Sequence, residues 1–254
     1  MNDQENGQAI IPPPPRRRKN TRYFFFAIVG VILLAFGYFV YELSQTISDQ
    51  TNQDIANSVV NDIQNRNALN ANAGITQIDT AVTDDDPFFG SRDASVVIVE
   101  FGDFQCPYCK EVHPVVKSLQ QRYGDRIFFQ FRDFPIESSH PEATNAALAA
   151  GCALEQGTEA FWNYHDRLYQ FQDDLGLDLY PILAERIGLN IAAFNSCLAD
   201  QTYFDEVEED YTEGIDLGVR STPTFFINGS RVPGAIPEAT FFSIIDRLLS
   251  QTTE

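Results

Sequence analysis

Nineteen consecutive uncharged residues, YFFFAIVGVILLAFGYFVY at positions 23–41, constrain this 254-residue chain more than any other feature. As a helix rising about 1.5 Å per residue they reach about 28 Å, close to the thickness of a bilayer's hydrocarbon core. Aromatic residues gather at both ends of the run, as they do at membrane interfaces. A buried helix of a soluble domain would normally keep a polar face. A cleaved signal peptide usually has a shorter apolar region, about 7–15 residues, before a small-x-small site. Ala35-Phe36-Gly37 offers such a site, but Phe39, Val40 and Tyr41 carry the apolar run past it. An uncleaved signal-anchor is therefore expected. Arg16, Arg17, Arg18, Lys19 and Arg22 precede the run and Glu42 alone follows it, which puts the N-terminus in the cytoplasm. Everything after residue 41 is then expected outside a single-pass cell-membrane anchor.

The flanks are simpler. Residues 1–22 are polar, with four prolines at 12–15, and are expected to form a disordered cytoplasmic tail. Residues 42–83 are expected to be a polar tether, rich in Asn, Gln, Ser and Thr. Ile55, Val59 and Ile63 recur at a four-residue spacing that permits a short helix there. As coil, the stretch 42–80 would reach about 35 Å root-mean-square.

Charge excludes one class of partner. The chain holds 17 basic and 36 acidic residues, and beyond residue 45 the formal charge is −21. A nucleic-acid partner needs cations for its phosphates, so none is expected. Anionic lipid would also repel that acidic part, which leaves residues 23–41 as the membrane contact.

From residue 84 the pattern is that of a folded domain. Residues 95–101, SVVIVEF, form a β-branched apolar run that reads as a buried strand. Residues 110–123 have helical periodicity and 127–131 read as a second strand. Between 138 and 218 lie helical patterns at 143–154, 160–171, 180–187, 191–198 and 203–217, parted by Gly or Pro. Asn228-Gly229 signals a tight hairpin between 224–227 and 230–232. Residues 237–249 close the domain as an amphipathic helix with Pro237 in its first turn.

Cys106-Pro107-Tyr108-Cys109 sits where strand and loop feed a helix. A sulfur at a helix N-terminus meets unpaired N–H groups and the positive end of the dipole, and both favour its thiolate. Pro107 lacks an N–H that would have gone unpaired there. The second sulfur, one turn on, is placed to resolve a mixed disulfide. A zinc site would need a second paired motif, and Cys152 and Cys197 stand far apart in sequence. His113, His140 and His165 show no metal-ligand spacing either, so no metal is expected. No nucleotide, flavin or other cofactor motif is apparent. Redox chemistry at Cys106 and Cys109 is the reading that remains.

Two segments carry a resemblance to a known family. DPFFGSRDASVVIVEFGDFQCPYCKEVHP at 86–114 resembles the active-site segment of DsbA-like thioredoxin-fold thiol:disulfide oxidoreductases. GVRSTPTFFINGSRVPGA at 218–235 resembles their second characteristic stretch. The likeness covers about residues 84–250 and implies a DsbA-like thioredoxin domain over 84–254: an α/β sheet with an inserted helical domain near 138–218. It also implies particular roles. Pro223 matches the cis-proline beside the reactive sulfurs, and the backbone of Thr222 would pair with an extended substrate. Pro107 and Tyr108 would face that substrate. Glu100 matches the buried acid that exchanges a proton with the second cysteine, here Cys109, while an exposed strand-end Glu100 is the alternative. Pro114 matches the proline that kinks the active-site helix.

The implied activity is disulfide formation in reduced or unfolded exported proteins, with a quinone-linked membrane partner to reoxidise the pair. A reductase or isomerase outside the membrane is the enzymatic alternative, and a redox-inactive chaperone or binding module the non-enzymatic one. Cys152 and Cys197 lie in different parts of the helical block. In an oxidising compartment they are expected to be bonded, closing about 45 residues for about 3–4 kcal/mol. Two buried thiols, or a second exchanging pair, are the other readings. His113 reads as a surface residue, His140 and His165 as structural or exposed, and Phe161, Trp162 and Tyr164 as core.

Overall fold

The computed structural model describes residues 21–73 and 81–251. The tail expected to be disordered lies, as far as residue 20, outside the described residues, and so do residues 74–80 of the expected tether. The chain divides into two units after Asp49.

Helix α1 (Thr21–Ala73) runs through the first unit into the second, and its part in the first unit carries the apolar run, with Phe26, Leu33, Leu34 and Phe36 each more than 60% exposed. It is long and apolar enough to cross a membrane, and none of its most apolar window is buried by protein. A helix of this kind is compatible with a single-pass anchor.

In the second unit the structure departs from the coil tether expected over 42–80, because α1 remains helical as far as Ala73. Ala56, Val60 and Ile63 are buried in the domain's main core, Val59 is half-buried, and Ile55 is 40% exposed. The four-residue spacing 55-59-63 drifts off a helix face of period 3.6, whereas 56-60-63 follows it. Polar side chains complete the contact. Ser230 donates to Asp62 Oδ2 at 2.5 Å and Arg66 Nη1 donates to the Gly229 carbonyl at 2.7 Å. Thr240 donates to Asn52 Oδ1 at 2.9 Å. Asn52, together with Asn57 and Gln53, which accept from Arg247, shows that the Asn- and Gln-rich composition suggesting coil supplies part of the docking contact.

One five-stranded sheet runs in the order β1-β3-β2-β4-β5. Its strands are β1 (Phe88–Gly90), β2 (Val96–Gly102), β3 (Ile127–Asp133), β4 (Thr224–Ile227) and β5 (Ser230–Pro233). β2 and β3 are parallel and every other pair is antiparallel. β2 is β-branched and buried along nearly its whole length, as a central strand covered on both faces requires. Helix α2 (Pro107–Tyr123) makes the crossover that a parallel β2–β3 pair needs. Its buried residues Cys109, Val112, Val116, Leu119 and Tyr123 form one stripe of helical period. Helix α8 (Glu238–Gln251) contributes Phe241, Ile244, Ile245 and Leu248 to the same core cluster. Asn228 at φ 45° and Gly229 at φ 77° form the β4–β5 turn, where both central residues need positive φ.

Between β3 and β4 lies a helical insertion: α3 (Ala143–Leu154), α4 (Thr158–Gln170), α5 (Leu179–Arg186), α6 (Ile191–Ala199) and α7 (Phe204–Asp216). Its core, which includes Ala149, Phe161, Tyr164, Leu168 and Phe194, is shared with Phe131 of β3 and with Phe104, Cys106 and Cys109. Phe161 and Tyr164 are buried, and Trp162 is half-buried with Nε1 donating to the Phe88 carbonyl at 3.1 Å. Gly151 lets α3 approach Tyr203, whose ring would lie 2.5 Å from a Cβ there. Cys152 in α3 and Cys197 in α6 are joined by a disulfide. Arg132, fully buried at the end of β3, pairs with Asp86 at 3.1 Å and with Asp210 and Glu213 of α7, pinning the insertion to the sheet.

Candidate active site

Side chains alternate along β2, so Glu100 shares the face of Val96 and Ile98, which belong to the same core cluster as Val112 and Val116 of α2. Beyond the strand, a loop turns the chain into the helix. The Cys106 N–H donates to the Asp103 carbonyl at 3.1 Å, and the Cys106 carbonyl accepts from the Lys110 N–H at 3.1 Å, starting the helical ladder. Cys106 is thus the N-cap of α2, in extended conformation, with Pro107 at the first helical position.

The loop is fixed by groups that sequence reasoning does not single out. Asp103, 1% exposed, accepts from the Gln105 N–H at 2.8 Å, the Ile136 N–H at 2.9 Å and His140 Nδ1 at 2.7 Å. Gln172 reaches in from beyond α4, and its amide nitrogen donates to the carbonyls of Phe104 at 2.8 Å and Cys106 at 2.9 Å. Gln172 stands 66 residues from Cys106 in a polar stretch, so no local pattern marks it.

Opposite the cysteines, the Thr222–Pro223 peptide bond is cis. The Cys106 thiol donates to the Thr222 carbonyl at 3.3 Å, and the buried Thr222 hydroxyl has no hydrogen-bond partner among the described residues. Pro107 and Tyr108 are exposed, Tyr108 at 61%, whereas Thr222 and Pro223 are buried. Pro114 lies inside α2 with its ring at the surface.

Electrostatics separates the two thiols. Cys106 is lowered to about 6, first by a hydrogen bond from Cys109 and then, against burial, by Thr222 and the backbone N–H groups of Cys109 and Tyr108. Cys109, fully buried, is pushed well above the ordinary thiol range by desolvation and by its neighbours Cys106 and Glu100. Glu100, 2% exposed, is raised to about 8, first by desolvation and then by the charge of Cys106. A buried low-pKa sulfur at a helix N-terminus, a high-pKa partner one turn on and a protonatable carboxyl beside them are the arrangement that thiol–disulfide exchange requires.

Residues 82–247 match the sequence profile of the family described as Thioredoxin. The chain belongs to the thioredoxin family. Its fold is thioredoxin-like, with the helical insertion between β3 and β4. Among solved structures it is similar to BdbD from Bacillus subtilis in the oxidised state, at 24% identity and TM-score 0.58, over 65% of this chain and 93% of that one. It is similar to alpha-DsbA1 from Wolbachia pipientis at 23% identity and TM-score 0.61, over 68% and 94% of the two chains. The thiol-disulfide exchange protein alpha-DsbA2 from the same organism matches at 24% identity and TM-score 0.59, over 64% and 87%. The fold of this thioredoxin-family chain is therefore DsbA-like.

Curated relatives carry a different name. The chain is 38% identical over 170 residues to Na(+)/H(+) antiporter NhaA 3 of Salinispora tropica, and 39% identical over 172 residues to NhaA 1 of Salinispora arenicola. The matches take in 66% and 67% of this chain and 26% of each relative. The chain thus spans about a quarter of the length of these relatives, and the antiport in their names says nothing of its own chemistry.

Of the histidines, His113 departs from its sequence reading, whereas His165, buried, and His140, hydrogen-bonded to Asp103, are structural as read. His113 is not free at the surface: its Nε2 lies 2.7 Å from Asp166 Oδ1, and its side chain is 14% exposed. His165 is buried, and desolvation lowers it to about 4. His113, His165 and Asp166 hold their donor atoms within 4.8 Å of one another. A search for ligand spacing misses this group because α2 and α4 bring together positions 52 residues apart.

Proposed function

We propose that this chain is a membrane-anchored thiol:disulfide oxidoreductase that forms disulfide bonds in reduced or unfolded exported proteins through Cys106 and Cys109. The observation that carries this reading is the placement of the two thiols, Cys106 at the N-cap of α2 against the Thr222 carbonyl and Cys109 fully buried one turn on, which lowers the first to about 6 and raises the second well above its ordinary value. A thiolate stabilised in the reduced protein makes the disulfide form the stronger oxidant.

In the oxidised protein, a substrate thiolate attacks Cys106 Sγ and the bond to Cys109 breaks. Cys109 leaves as a thiolate and takes a proton from Glu100, which is raised to about 8 and so holds one near neutral pH. A second substrate thiolate then attacks the substrate sulfur of the mixed disulfide, and Cys106 leaves as its stabilised thiolate. The substrate loses two electrons and forms a disulfide, while the Cys106/Cys109 pair gains both. Exposed Pro107 and Tyr108 meet the substrate, and the backbone at Thr222 and Pro223 aligns it. A quinone-linked membrane partner returns the pair to the disulfide state.

The anchor, with the N-terminus in the cytoplasm, keeps residues 84–254 in the oxidising compartment where such a product persists. In Cys109→Ala the Cys106 thiolate still attacks disulfides of exported proteins, one substrate sulfur leaving as thiolate, but no second enzyme sulfur is present to displace the substrate from the resulting mixed disulfide. Expressed in cells, this variant should accumulate as thiol-sensitive adducts with exported proteins, and Cys106→Ser should abolish both adducts and activity. Full activity of Cys106→Ser in cells would overturn the reading.

A further inference from the structure

The site between α2 and α4 has no part in the exchange chemistry. Asp166 Oδ1 sits 2.7 Å from His113 Nε2 and 3.9 Å from His165 Nδ1, and its other oxygen accepts from Lys117 Nζ at 2.5 Å. His165 is 2% exposed, yet neither of its ring nitrogens has a hydrogen-bond partner among the described residues. Its ring is boxed by Phe104, Phe131, Phe161, Trp162 and Tyr169 at 4.9–5.8 Å between centroids. A buried imidazole with two idle nitrogens costs free energy unless something binds it. A cavity of about 380 Å³ opens onto this group, lined by His113, His165 and Asp166 together with Lys117, Asn163 and Trp162.

We infer that His113, His165 and Asp166 form a binding site for a divalent first-row transition ion of the zinc class, clamping α2 to α4. Two imidazoles and one carboxylate are the donor set of a three-ligand zinc site with its fourth position open, and here the cavity supplies that opening. Calcium and magnesium demand more oxygen ligands than the group offers. The ion takes the place of the proton between His113 Nε2 and Asp166 Oδ1, a proton is released to solvent, and His113 binds through Nε2 as the imidazole protonated at Nδ1. Donors around a tetrahedral ion with bonds of about 2.0–2.1 Å lie about 3.3 Å apart, so the closest pair opens and the widest closes on binding. Lys117 stays on the second Asp166 oxygen, where its charge weakens the site. Its side chain is 46% exposed.

The test uses the full chain in detergent, purified without a histidine tag and carrying Cys106→Ser and Cys109→Ser so that no active-site thiolate takes up metal. Titration with zinc followed by calorimetry should show one ion per chain, and cobalt should give the visible spectrum of a tetrahedral site without thiolate charge-transfer bands. In that background His113→Gln or Asp166→Asn should weaken zinc at least tenfold, and Lys117→Gln should tighten it. Zinc should raise the thermal midpoint of the parent protein and leave that of the His113→Gln variant unchanged. Absence of stoichiometric zinc binding, or zinc binding by folded His113→Gln and Asp166→Asn as tight as in the parent, would overturn the inference.

Discussion

Cys106 and Thr222 are 116 residues apart in sequence, and the thiol of the first donates to the carbonyl of the second at 3.3 Å. The contact joins the N-terminus of α2 to the start of β4, and it sets the reactive sulfur against the backbone that an extended substrate would follow. On the other side of Cys106 stands Cys109, whose hydrogen bond is the largest single cause of its low pKa.

Removing that donor should therefore be felt at Cys106. In Cys109→Ala the Cys106 pKa should rise from about 6 toward the free-thiol value of about 8.5. The pH dependence of alkylation by iodoacetamide reads this directly. An inflection that stays put would assign the low pKa to the helix terminus alone.

Glu100 makes a prediction about stability. Its pKa rises from 4.5 unfolded to about 8 folded, and Cys106, Cys109 and Tyr169 are the titratable groups coupled to it. Between these values the folded protein holds a proton that the unfolded chain has released. The contribution of Glu100 is thus fully present below about pH 4.5 and is lost as pH rises through about 8, on the order of 3–5 kcal/mol in all. Urea unfolding of the reduced protein at a series of pH values should show this decline between about pH 4.5 and 6, above which the lowered Cys106 thiol adds stability in the opposite sense, and Glu100→Gln should flatten it. An equal slope in both proteins would place the Glu100 carboxyl in water.

Much of this architecture can be read from residues alone, for physical reasons that also mark where reading stops. The run VVIVEF, the Asn228-Gly229 turn and the apolar stripe of α2 each carry a local period or a turn requirement, and each forms the expected element. β1 has three residues, Phe88–Gly90, too few to show a period of two. The docked part of α1 hides its stripe of Ala56, Val60 and Ile63 among Asn and Gln, whose own hydrogen bonds belong to the contact. Within the site, the cysteines announce themselves by spacing. Gln172 and the His113–Asp166 pair meet only through the helical insertion, so their proximity is a property of topology that no local pattern records.

Gln172 tests how the loop is held. Gln172→Met keeps the volume but strips a donor from the buried carbonyls of Phe104 and Cys106. Stability should fall by about 1–3 kcal/mol in denaturant unfolding, with the fold retained. A change within about 0.5 kcal/mol would mean that other groups satisfy the loop.

Ile63, 1% exposed, tests whether α1 is docked. Ile63→Ala should cost about 2–5 kcal/mol by emptying a core position, and should speed hydrogen exchange across residues 52–66. A surface helix in solvent would tolerate the change within about 0.5 kcal/mol.

The central claim is that Cys106 and Cys109 donate a disulfide, and the equilibrium reduction potential of that pair, titrated against glutathione, tests it most directly. The stabilised Cys106 thiolate predicts an oxidising value, within about −120 to −180 mV, the span from DsbA to protein disulfide isomerase. A value near about −270 mV, as in thioredoxin, would contradict the account and make the protein a reductase supplied with electrons from across the membrane.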